Sequence, residues 1–220
     1  MFVRWFSRRH GPLVGLTILV VLTASGCRDA FFTVAYLVKG NEVEAECKEL
    51  KGKRVAVVCR PLVSLQYRNA SVAKDVAREV GLLLKKNVPK IQLIDHAKVA
   101  EWMDENGYGE VEYLDVGRAL KADLVVGIDL EQFDLLQGQT VFQGKANVAV
   151  KVYNCKTGAT VFSKHLPQTV YPPNHVISTM NKQESEFRRD FVLVVADQVA
   201  RHFYNHEPHS DIALDSRALD

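Results

Sequence analysis

Hydrophobic and polar residues follow two alternating periods in this chain. From Lys53 to Arg60 it runs KRVAVVCR, a short apolar stretch ended by Pro61, which reads as a buried strand. The period then lengthens. Val72, Val76, Val80, Leu83 and Leu84 recur at helical spacing and predict an amphipathic helix over 70–87, with Pro89 beyond its end. Ile91, Leu93 and Ile94 predict a second strand. Asp95 can accept hydrogen bonds from free backbone N–H groups, opening a helix that turns Val99, Trp102 and Met103 inward and stops near Asn106 and Gly107. A short helix is expected over 114–121, with Ala119 and Leu120 inward. Leu124, Val126, Ile128 and Leu130 alternate along a third strand, and Phe142, Gly144, Ala146, Val148, Val150 and Val152 along a longer fourth one. Asn154 to Gly158 suits a hairpin turn, with Gly158 supplying a positive φ, and 160–166 returns as the partner strand. Pro167, Pro172 and Pro173 mark an extended crossing loop. A last helix, about 183–205, places Phe187, Phe191, Val194, Val195, Val199 and Phe203 on one side. The polar tail from Glu207 is expected to be mobile.

The predicted order is β-α-β-α-α-β-β-β-α. That order implies an α/β (α+β) domain: a mixed sheet of about five strands with helices packed on it. No internal repeat or low-complexity block is visible. The roughly 150 residues after Lys51 suffice for one core of this kind.

The first 50 residues have a different character. Residues 1–10 are short and basic, Pro12 to Leu22 is uninterrupted and apolar, and Thr23-Ala24-Ser25-Gly26 are small and precede Cys27. Basic, apolar, then small is the order of a secretory signal. A Cys directly after Ala-Ser-Gly resembles the lipobox of bacterial lipoproteins, although Ala24 stands where Leu is usual. The resemblance implies cleavage before Cys27 and acylation of its thiol, and so a partner in the lipid membrane. Residues 1–26 are thus read as signal peptide, 27–50 as a lipidated tether, 51–206 as the α/β domain and 207–220 as a flexible tail. A plain cleaved signal and an uncleaved anchor are the competing readings, the second because the apolar run over 11–27 is at the short end of a spanning helix. Residue 28 is Arg rather than the Asp that resembles an inner-membrane retention signal, which favours the outer membrane with the domain facing the periplasm. Residues 30–38 (AFFTVAYLV) are too short to span.

Two stretches in the domain carry a further resemblance: GRALKADLVVG over 117–127, and VAVKVYNCKTGATVF over 148–162. With the 53–60 strand they are similar to the α/β domain of envelope lipoproteins, a group that includes the curli-secretion lipoprotein and the activator lipoproteins of penicillin-binding proteins. The pattern also resembles bacterial lipoproteins that share this whole layout. The resemblance implies a non-enzymatic binding or assembly accessory whose partners are envelope proteins or further copies of itself, and which needs no cofactor.

Charge and chemistry modify this picture little. The chain carries a net +2, but residues 1–26 hold Arg4, Arg8 and Arg9 and no acid, so removing them leaves 2 − 3 = −1. A near-neutral domain gives no electrostatic case for nucleic acid. GQTVFQGKA over 138–146 mimics a phosphate-binding loop but has one residue too many between its glycines and no hydroxyl after the Lys. His202 and His206 are four apart, which on one helix puts both imidazoles on one face, as a zinc pair requires; Glu207 and His209 lie close by. On that basis a metal-dependent envelope hydrolase is the alternative function, and a structural subunit of an envelope oligomer a third. Cys47, Cys59 and Cys155 permit one disulfide in an oxidising compartment, and Cys59 also reads as a small buried hydrophobe. A Cys–His nucleophile would need His96, His165 or His175. Asp129, Glu131 and Asp134 crowd one strand end and read as a paired acid–base set or as a solvated strand edge. Tyr67-Arg68-Asn69 and Tyr171 to His175 read as partner-contact loops or as ordinary turns.

Overall fold

The computed structural model describes residues 42–61, 66–106 and 112–208. Cys27, the signal segment, most of the tether, the tail from residue 209 and the side chains of Tyr67, Arg68 and Asn69 fall outside the described residues. Among the described residues no helix is long and apolar enough to cross a membrane.

The chain is α/β, as the pattern of periods implies. Its elements are β1 (Arg54–Pro61), α1 (Gln66–Asn87), β2 (Gln92–Leu93), α2 (His96–Asn106), α3 (Tyr113–Ala119), β3 (Leu124–Gln137), β4 (Val141–Asn154), β5 (Thr160–His165), β6 (Thr169–Tyr171), β7 (Ile177–Ser178) and α4 (Glu184–Ala200). A single 3-10 turn, Arg201–Phe203, follows α4. The strands form one mixed sheet in the order β2-β1-β3-β4-β5. β1 pairs parallel with β2 and β3, and β3 and β4 form a long antiparallel hairpin. β4 pairs with β3 along one edge, so β5, β6 and β7 succeed one another along its other edge.

The run in β1 is continuously apolar because both of its faces are covered. Val55, Val57 and Cys59 enter the main core under α1 and α4, while Ala56 and Val58 enter a smaller one under α2 and α3. α1 supplies Val72, Val76, Val80 and Leu84, one turn apart, and ends on Lys85 and Lys86, which suit the negative end of a helix. α4 brings Phe187 and Phe191 onto β4 and buries Val195 and Val199 in the main core. There the Phe191 ring occupies the space a side chain on Gly144 would fill, with ring carbons 2.7 Å from that Cβ position.

Four expectations are corrected. β3 runs on to Gln137, beyond the expected end at Leu130. Register shifts at Leu130/Gln132 and Asp134/Leu136 break its alternation, and the first returns Phe133 to the core face. The proline-marked loop contains β6 and β7. Ala119 is exposed, and Val116 takes the inward place beside the half-buried Leu120. The domain begins at Val43, not at residue 51. Leu50 is fully buried and Cys47 nearly so, and Val43 forms an antiparallel bridge with His206.

Candidate functional site

Residues 43–50, expected to belong to the tether, lie as a strap against the end of α4. The Val43 N–H donates to the His206 carbonyl (2.8 Å), the His206 N–H returns to the Val43 carbonyl (3.1 Å), and the Cys47 N–H donates to the His202 carbonyl (3.0 Å). The Asn205 side chain accepts from the Ala45 N–H at 3.1 Å. Glu46 lies at the centre. Lys164 of β5 donates to both of its carboxylate oxygens, at 2.5 and 2.7 Å, and His202 Nδ1 lies 3.0 Å from Oε1. The Lys164 hydrogen bond holds the Glu46 carboxyl below its usual value, against the opposing effect of partial burial. Burial, then the Lys164 charge, lower the His202 pKa, and Glu46 offsets them only in part.

The second polar cluster lies on the α2–α3 side of the sheet. β1 and β3 place Arg60 and Asp129 directly opposite each other, and Lys151 of β4 lies nearby. Tyr113, the first residue of α3, fits against the sheet because residue 127 is glycine: a Cβ there would meet the Tyr113 ring at 2.7–2.8 Å. Tyr113 Oη donates 2.6 Å to Asp129 Oδ1, Arg60 Nη2 lies 3.3 Å from the same oxygen, and the Arg60 guanidinium sits 3.8 Å above the Tyr113 ring. Lys151 Nζ is 3.9 Å from Asp129 Oδ2. Burial, followed by the Asp129 charge, pushes the Tyr113 phenol far above its usual value, so it stays protonated and donates. Burial opposes the Arg60 charge, but Tyr113 and Asp129 outweigh it and the pKa is raised. Each polar group here is engaged, which clamps α3 to the sheet.

The other residues flagged in the sequence are dispersed. Asp129 belongs to the clamp, Glu131 Oε1 lies 3.6 Å from His165 Nδ1, and Asp134 accepts from Gln132 at 2.7 Å, so the three acids do not converge. The helix ends at Ala200 and the 3-10 turn at Phe203, so His202 and His206 do not share a helical face. His202 faces Glu46, and His206 Nδ1 lies 3.3 Å from the Tyr204 carbonyl. Among the described residues no group of three His, Cys, Asp or Glu is arranged to hold a metal ion. Cys47, Cys59 and Cys155 are free thiols, each buried, with Cys155 in the smaller core and the other two in the main one. Burial raises the pKa of all three. Tyr171 is no surface contact: it is buried and stacks on Phe187 and Phe191, with centroids 5.8 and 6.3 Å away. Gly138 of the phosphate-loop mimic sits in the β3–β4 turn, and the segment continues as strand β4 rather than as a helix.

No family model and no curated protein sequence matches the chain. Solved structures do. The PelC L103M dodecamer from Paraburkholderia phytofirmans aligns over 74% of this chain and 97% of that one, at 10% identity and a TM-score of 0.44. Lipoprotein GNA1162 from Neisseria meningitidis aligns over 67% and 98%, at 13% identity and 0.39. The LpoB C-terminal domain from Salmonella enterica aligns over 62% and 90%, at 15% identity and 0.34. Bacterial lipoproteins are thus among the structural neighbours.

The sequence resemblance missed the strap and the clamp. Partners in the clamp are 69 and 16 residues apart, so no local spacing could reveal it. The strap left one trace, Cys47 and Leu50 within a charged stretch.

Proposed function

We propose that the chain is a membrane-tethered envelope lipoprotein, acylated at Cys27, whose α/β domain acts as a protein-binding or assembly accessory on the periplasmic side of the outer membrane. The observation that carries this reading is the junction Ala24-Ser25-Gly26-Cys27 after the apolar run. The strap supports it. Because folding begins at Val43, fifteen residues (28–42) separate Cys27 from the domain. Fully extended they reach about 50 Å. The tether therefore confines the domain to a thin layer beside the membrane and raises its effective concentration toward other proteins there.

Mass spectrometry of the chain extracted from native membranes tests the anchor. A mature N-terminus at Cys27 carrying fatty acid is expected, with the modification lost in Cys27→Ala. An N-terminus at Met1, or an unacylated residue 27, overturns the reading. Crosslinking in the intact envelope tests the accessory role: protein adducts should form on the wild-type chain and diminish in Cys27→Ala, and equal adducts in both would remove position as the mechanism.

A further inference from the structure

The near-neutral charge of the domain conceals a segregation. Backbone hydrogen bonds bring several turns to one end of the sheet: Gln92 N–H donates to the Lys53 carbonyl, Asp123 N–H to the Arg54 carbonyl, and Cys155 N–H to the Asp123 carbonyl. The strap enters β1 at this same end, through the Lys53 N–H bond to the Leu50 carbonyl. The opposite end of the sheet is the β3–β4 turn at 138–140.

Lys51, Lys53, Lys85, Lys86, Lys90 and Lys121 all belong to the turns and helix terminus at the strap end, and all are exposed. None of the six is ion-paired with a described carboxylate. The acids near them are largely engaged: Glu44 with Lys48, Glu46 with Lys164, and Asp123 with Lys156 at 3.8 Å; Glu49 of the strap remains. An independent observation concerns the backbone. Among the described residues only two non-glycine residues have a left-handed φ, and both are lysines of this set, Lys90 at 59° and Lys121 at 55°. Glycine or asparagine suits such positions better. Lysine there gives up conformational ease and presents a charge.

We infer that this lysine-rich end is a membrane-facing surface that binds anionic lipid headgroups beside the tether. The inference rests on the lipid-tether reading, since a lipid anchor is what would keep the domain near a bilayer. Basic groups near an anionic leaflet are attracted within about a Debye length, roughly 8–10 Å at physiological salt. A tether of fifteen residues keeps the domain close enough for the lysines to sample that layer, and six unpaired cations then orient the domain so that the β3–β4 turn points away from the membrane.

Lysine footprinting tests this. The full chain is reconstituted in phosphatidylcholine vesicles or in mixed phosphatidylcholine–phosphatidylglycerol vesicles and acetylated. In the anionic vesicles the six lysines should label at least about threefold more slowly than in the neutral ones. Lys145, near the other end, should be unchanged. Protection should vanish at roughly 0.5 M salt, where screening acts within about 4 Å. The double variant Lys90→Gly and Lys121→Gly removes two charges while keeping both turns comfortable, and should weaken protection of the other four. Equal labelling in both vesicles overturns the inference, as does protection by inorganic phosphate without vesicles, which would reassign the surface to small anions. Separate mass analysis of residue 27 distinguishes the two failures. An acylated chain with unprotected lysines sinks only this inference; an unacylated chain with protected lysines sinks only the lipid anchor.

Discussion

At the scale of single residues, Gly127 and Tyr113 show how a missing side chain positions a polar one. The phenol ring lies where a Cβ on residue 127 would be, which brings its hydroxyl to Asp129 and its face under Arg60. Gly127→Ala should cost about 1–3 kcal/mol by overpacking, read as a lowered midpoint in urea. Tyr113→Phe keeps the ring and removes one hydrogen bond to a charged acceptor, so about 1–2 kcal/mol is expected. If Gly127→Ala were neutral, the ring would have to move freely, and the clamp would not hold α3. Asp129 was legible as one of several crowded acids. Arg60 and Tyr113 were not, since only the pairing of β1 with β3 and the return of α3 bring them together.

At the scale of elements, the strap determines where the domain begins. Leu50 is fully buried, so Leu50→Ala should destabilise the domain by about 2–5 kcal/mol, while Glu49→Ala should be nearly neutral. Equal effects would show the strap to be dispensable. The junction is also acid-sensitive. The His202 pKa is lowered from 6.5, so docking binds the neutral ring, and its contribution is present above pH 6.5 and lost as pH falls below it. The Glu46 pKa is lowered from 4.5, so its contribution is present above that value and lost as pH falls through the lowered value. Both act in one direction. Hydrogen-exchange protection of the Val43, Cys47 and His206 amides, corrected for intrinsic rates, should fall on acidification below pH 6.5 and again below 4.5. Constant protection through both windows would refute the linkage. The helices and the main strands were legible because each keeps one period throughout. β3 was legible only to Leu130, because its bulges abolish the alternation that marks a strand.

At the scale of the whole molecule, β1 and β3 supply side chains to both cores, which ties the two layers of helices together. Trp102 packs on the smaller core. Its fluorescence and the far-ultraviolet circular dichroism should therefore report one urea transition with a common midpoint. An earlier midpoint for Trp102 would mean that α2 and α3 open separately. The sequence by itself determined the α/β class, the order of the main elements and the faces of the helices. These are encoded locally, in period and turn chemistry. The tertiary structure alone decided the docking of the strap, the Arg60–Tyr113–Asp129 clamp, the dispersal of the acids and histidines, and the gathering of six lysines at one end. Each depends on residues distant in the chain, and their proximity follows from strand pairing and helix return rather than from spacing.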